Sequence, residues 1–211
     1  MLWNASAIER FGVEGSDGPI GAAVDLLFEE AAWTSRWLAV DAGPWLGGRR
    51  VLLPRVALDR PDKSARRFPV HLTRRKIGDS PYLDAGMLVS KEKEAEFCAY
   101  YSCERYWDDG RAERTEGPTR LRSMAAARGY QIHASDGEVG RVEDFLVDDT
   151  SWSIRFVAVN MRWWPEQRTL LSPRSALGID WDNRKFLLNV TTCPPKQTTL
   201  RDDGRALGGD I

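Results

Sequence analysis

Short runs in which apolar and polar side chains alternate, separated by turn-forming residues, account for most of this chain. The clearest is Trp33 to Asp41 (WTSRWLAVD), matched further on by Trp152 to Asn160 (WSIRFVAVN). Both are rich in β-branched and aromatic residues, and their alternation predicts a strand with one face in a core. Upstream, Phe11 to Glu14 and Tyr130 to Ala134 each run into Ser-Asp-Gly, where Asp holds a turn through its side chain and Gly accepts positive φ, so a hairpin is expected. The returning strands, Ile20 to Phe28 and Val139 to Val147, end in the acidic pairs Glu29-Glu30 and Asp148-Asp149, read as solvated turns. A fourth strand, Arg49 to Leu53 or Arg168 to Leu171, stops at Pro54 or Pro173, and the last is Phe68 to Leu72 or Phe186 to Val190. Five or six strands in ~70 residues, with no intervening helix of ~10 or more, predict a small antiparallel barrel rather than an α/β sheet.

Each strand comes twice because the chain repeats itself. Shifting the sequence by 119 residues lays Leu2 to Leu58 on Leu121 to Leu177 without a gap. SDGPIG at 16–21 falls on SDGEVG at 135–140, Asp25 and Leu27 on Asp144 and Leu146, Trp33 and Arg36 on Trp152 and Arg155, and Trp45 on Trp164. Beyond Leu58 a one-residue shift brings RRFPVHL at 66–72 onto RKFLLNV at 184–190, which a difference in loop length explains. The expected organisation is a first copy over 1–83, a helical connector and polar linker over 84–120, a second copy over 121–195 and a disordered tail over 196–211. The predicted fold class is all-β: two tandem small antiparallel barrels with a short connecting helix.

The stretch GYQIHASDGEVGRVEDFLVDDTSWSIRFVAVNMRWWPEQRTLLSP, Gly129 to Pro173, resembles the core of a PRC-barrel domain, the module shared by the cytoplasmic part of the photosynthetic reaction-centre H subunit and the C-terminal part of a ribosome maturation factor. The matching features are ordered: Leu-Arg-Ser at 121–123, the DGxxG turn, VEDFLVDD, Trp-x-Ile-Arg, Trp-Trp-Pro at 163–165 and a strand ending in Ser-Pro. The first copy follows the pattern more loosely, with Gly-Pro-Trp at 43–45. The resemblance implies PRC-type barrels, a docking, assembly or regulatory role, and no catalytic activity. The segment between the copies is similar to that of tandem bacterial members. There Ser90 is placed to cap a helix from Lys91, with Glu92 and Glu94 at its positive end and Phe97, Tyr100 and Tyr101 on one face packed against a barrel.

Composition narrows the function classes. Thirty Lys and Arg against 31 Asp and Glu give a formal charge of -1, so no global field for nucleic acid or membrane exists. No apolar run reaches the ~18 residues of a membrane span and the N-terminus lacks a signal-peptide pattern, so a cytoplasmic protein is expected. Cys98, Cys103 and Cys193 form no CxxC pair, and three reduced thiols are expected, with neither disulfide framework nor zinc site. His71 and His133 stand at non-equivalent positions of the copies and read as surface residues, so no catalytic, metal or cofactor-binding residue is assigned.

What remains are candidates for a contact surface. Trp45, Trp163 and Trp164 sit in turns beside Pro and Gly, where aromatics either form an interface or cover a barrel end. From Arg60 to Lys76 seven Lys or Arg, among them Arg66, Arg67, Arg74 and Arg75, stand against Asp62 alone. Such an edge serves an acidic protein, RNA or anionic lipid, or pairs with acidic turns of the second barrel or another subunit. The expected function is a non-enzymatic docking module for a protein partner, with homo-oligomerisation open. An RNA-binding assembly factor using the 60–76 edge and a small-ligand-binding barrel stand as alternatives.

Overall fold

A computed structural model of the protein describes residues 1–82, 89–107, 121–135, 137–161 and 168–189. The first half carries β1 (Leu2–Asn4), a single-turn helix α1 (Ala5–Ile8), β2 (Gly12–Gly15), β3 (Gly18–Glu29), β4 (Thr34–Asp41), β5 (Arg50–Pro54), β6 (Arg67–Pro69), α2 (Arg74–Gly78) and α3 (Lys91–Tyr101). The second carries β7 (Leu121–Ser123), α4 (Met124–Ala127), β8 (Gln131–Ala134), β9 (Gly137–Asp148), β10 (Ile154–Met161), β11 (Arg168–Leu171), β12 (Ala176–Asp180) and β13 (Lys185–Leu188). The all-β class holds, but the sheets are mixed rather than antiparallel throughout. One has the order β5-β4-β3-β2-β6 and the other β11-β10-β9-β8-β13-β12. β6 runs parallel to β2, and β13 parallel to β8, because the chain after each Pro-stopped strand takes a long connection back to the start of the hairpin.

The two short leading strands change places. β1 pairs with β9 of the second sheet, Leu2 opposite Asp148, and β7 pairs with β3 of the first, Leu121 opposite Glu29. In each sheet the hairpin partner covers only the first half of the long strand, β2 reaching Ala22 and β8 reaching Arg141. The strand from the other half pairs with the end of that edge, Leu27 to Glu29 or Leu146 to Asp148, so donors and acceptors that would stand open there are paired. A carboxylate follows each joint. Asp25 accepts from Ser123 Oγ (2.5 Å) and Ala125 N (3.0 Å), and Asp144 accepts from Ser6 Oγ (2.5 Å) and Ser6 N (3.2 Å), so each sheet's aspartate holds the first turn of the other half's helix.

Strand registers confirm the repeat and correct where it slips. Leu26 faces Leu38 as Phe145 faces Val157, and Ala23 faces Val40 as Val142 faces Val159, all at the 119 offset. Val40, however, faces Val51, whereas Val159 faces Thr169, so the offset is already 118 at the next strand. The missing residue therefore lies between β10 and β11, not beyond Leu177. A one-residue slip reverses the face of every side chain, and this slip is why Leu171 points inward with Leu53. Gly21 and Gly140 are required at matched places, since a Cβ would lie 1.9 Å from Asp41 O and 2.3 Å from Asn160 O.

A single core runs through both halves. Phe28, fully buried, stacks on Trp33 and packs on Phe145 and Trp181 of the second half. Trp33 reaches Phe186, and its equivalent Trp152 stacks on Phe68, so each tryptophan closes on the other copy's last strand. Backbone bonds join the equivalents directly: Ser35 N donates to Trp152 O (2.8 Å) and Ile154 N to Trp33 O (2.7 Å). A second apolar cluster lies where α3 covers the outer face of the first sheet, with Phe97 against Trp37, Leu52 and Leu121. Ser90 caps α3 as its sequence predicts, accepting from Lys93 N. Phe97 and Tyr101 reach this cluster, while Tyr100 turns to α2 and donates its hydroxyl to Lys76 O. Among the described residues α3 packs on one sheet and does not bridge the two.

Candidate interaction surface

The acidic pairs that read as solvated turns are structural joints. Glu29 is buried in an ion pair with Arg36. Glu30 accepts from Ile179 N (2.8 Å) and Trp181 Nε1 (2.9 Å), tying the first half to β12. Its equivalent Asp149 accepts from the chain's first amine (2.6 Å) and from Trp3 Nε1 (3.3 Å), holding β1 in the second sheet. Only Asp148 behaves as a turn residue, accepting from Thr150 N and Ser151 N, and these bonds hold its carboxyl below the usual range.

Trp45 also looks inward. Its indole donates to Ile20 O, its ring is half-buried against the core, and the Arg74 guanidinium lies 4.6 Å above it. Arg74 is fixed from its other side, where Asp17 accepts from its backbone N–H (2.7 Å). This tryptophan closes one end of the first sheet beneath α2, a short helix the sequence reading did not include. Trp163 and Trp164 lie outside the described residues.

The basic edge divides into tethered and outward-facing members. Lys76 is held at α3, its ammonium 4.1 Å from the Tyr100 ring. Arg60 reaches Thr150 Oγ1 (3.2 Å) in the second half, so its contact there is with a hydroxyl rather than a carboxylate. Arg67 pairs with Glu14 (2.8 Å) with its side chain still 55% exposed, and Arg75 lies 3.8 Å from Asp79 at 92% exposure. Exposed pairs of this kind are weak, ~0 to 1 kcal/mol, and leave the guanidinium accessible. Arg66, exposed, adopts φ 49°, and its carbonyl accepts from Gly12 N. That left-handed residue recurs at Arg184 (φ 53°), and Lys185 stands where Arg67 does, so this basic pair belongs to the shared fold while Lys63 and Arg75 belong to the first copy alone. Lys63, Arg66 and Arg67 lie on the connection into β6 and Arg75 on α2 past the other end of that strand, and all four are exposed.

Two further groups take places that their sequence context did not indicate. Glu94, 1% exposed, accepts from Trp37 Nε1 (2.9 Å) and the Tyr106 hydroxyl (3.0 Å) under α3, and burial pushes its carboxyl up to about 7. Cys98 and Cys103 meet at the end of the same helix. Neither matches a recognised spacing. His71 is exposed, 3.6 Å from Asp59, and His133 lies beside Gln131. Among the described residues no cluster of three metal-ligating side chains occurs and no helix is long and apolar enough to cross a membrane. No protein-family model matches this chain, and no curated protein matches it.

Proposed function

We propose that the chain is a tandem PRC-barrel-type protein, each copy's sheet closing into a small barrel, and that it acts without catalysis as a docking module for another protein. The observation that carries the docking reading is the exposure of Lys63, Arg66, Arg67 and Arg75: four cations face outward along one edge strand and its flanks in a chain whose overall charge is -1. The partner's complementary face is acidic. Rigidity supports the same reading, since the exchanged strands and shared core fix this edge relative to both sheets, and a preformed surface loses little entropy on binding. Interiors filled by Phe28, Phe68, Phe145 and Phe186 speak against a ligand-binding barrel.

The test is capture from the native cell with the tagged full-length protein and with a variant carrying R66E, R67E and R75E, each eluted by a salt gradient. A protein held by the wild type and lost from the variant is the expected result. Retained material that nuclease destroys, with affinity falling steeply with salt, would instead establish the RNA-binding assembly factor. Identical capture by both chains would refute a role for these cations.

A further inference from the structure

The end of α3 carries chemistry that the docking reading does not use. The helix stops at Ser102, which takes the left-handed conformation (φ 56°, ψ 39°), and the Cys103 N–H donates to the Cys98 carbonyl at 3.0 Å. An i to i+5 bond of this kind closes a Schellman-type cap, whose two end residues bring their side chains together. Here both ends are cysteines. Cys98 is 2% exposed in the cluster with Trp37 and Phe97, while Cys103 packs on the rim of that cluster and keeps access to solvent. The two side chains lie in the same cluster at the helix end. Backbone bond lengths on either side of the N···O contact cap the Cα separation near ~7 Å before any bend shortens it, and a disulfide spans roughly 4.4–6.8 Å.

The pair is asymmetric. The neighbouring Cys98 holds the Cys103 thiol below its ordinary range, and the closeness of Cys103 together with burial pushes Cys98 up. The accessible sulfur is thus the better thiolate and the buried one stays protonated, the division of labour between an attacking and a resolving cysteine.

We propose that Cys98 and Cys103 are a reversible dithiol–disulfide pair that a peroxide oxidises. The Cys103 thiolate attacks one peroxide oxygen, the O–O bond breaks, and the departing hydroxide takes a proton and leaves as water. Cys103 is then a sulfenic acid. The Cys98 sulfur attacks it, the S–O bond breaks, and the thiol proton leaves with the hydroxyl as a second water. Two electrons pass from the two sulfurs to the peroxide, and a dithiol reductant reverses the change.

The test uses the full-length reduced protein, hydrogen peroxide in small excess, and N-ethylmaleimide as the quench. Trypsin releases both cysteines in one peptide, Glu94 to Arg105, so pairing appears as a peptide about 2 Da lighter that takes up no maleimide until it is reduced. In the unoxidised protein, maleimide should label Cys103 at least about ten-fold faster than Cys98. C98S should leave Cys103 open to a sulfenic-acid probe, and the wild-type peptide mass decides the matter should that variant misfold. Maleimide on both cysteines after peroxide, a Cys103 sulfinic acid without pairing, or a disulfide to Cys193 would each overturn the proposal.

Discussion

Replacing Glu94 by Gln should change how stability depends on pH, in one direction only. The Glu94 carboxyl sits between the Trp37 indole and the Tyr106 hydroxyl at 1% exposure, with the Arg36 guanidinium 4.0 Å from the Tyr106 ring and the Glu29 carboxylate paired to it. Burial raises its titration from 4.5 to about 7, outweighing the two hydrogen bonds that favour the charged form. The folded state therefore holds this proton more tightly than the unfolded chain. Below pH 4.5 Glu94 is neutral in both states and costs nothing. Between 4.5 and about 7 each pH unit removes up to ~1.4 kcal/mol, and above that range the loss is complete at about 3 kcal/mol. Gln is neutral throughout and of the same size, its oxygen accepting from Trp37 and its amide donating to the Tyr106 oxygen. Urea unfolding followed by tryptophan fluorescence from about pH 4 to 8 should give variant and wild-type curves that meet at the acid end and diverge by about 3 kcal/mol in the variant's favour at the other. Groups elsewhere cancel in the difference. Parallel curves would refute the claim that Glu94 enters the folded state with a raised affinity for its proton.

Two predictions address the exchanged strands. Ser123 both accepts from Ala126 N (2.8 Å) and donates to Asp25, whose carboxyl burial already pushes up, whereas Ser6 only donates to Asp144. S123A should thus cost about 2–3 kcal/mol and S6A about 1–2 in the same unfolding assay, and a reversed order would show that the caps do not secure the joints. A protease site introduced at Gly117 and cleaved should leave two fragments that co-elute in size exclusion and separate only in denaturant, because β1 and β7 each sit in the other fragment's sheet. Fragments that part under native conditions would exclude the exchange.

The hairpin turns, the Ser90 cap and the apolar face of α3 were legible because each is set by residues close in sequence, and the repeat because matching residues recur at a fixed offset. Which sheet a leading strand joins was not. Leu2 and Leu121 belong to matching segments, and the long-strand edges they complete are equivalent, so pattern alone gives no preference between staying and crossing over. The acidic pairs misled for a related reason: as dipeptides they resemble solvated turns, yet the donors that Glu30 and Asp149 serve lie near the far ends of the chain, at Trp181 and Trp3. The 118 offset was hidden because Pro54-Arg55 and Pro173-Arg174 align by identity, while structurally the segment begun by Arg55 answers to that begun by Pro173.

Divergence between the copies then acquires a physical reason. Glu9 and Arg128 are equivalent residues at the 119 offset, and they form an ion pair at 2.7 Å with side chains 18% and 24% exposed. Residues that touch their own equivalents lie on the pseudo-two-fold axis, as Thr34 and Ser153 also do. If two first halves, or two second halves, associated by the same geometry, this place would set Glu against Glu or Arg against Arg with little water to screen them. Joining the halves in one chain lets opposite charges occupy the axis, so the contact that stabilises the intramolecular pair also disfavours pairing of either half with itself.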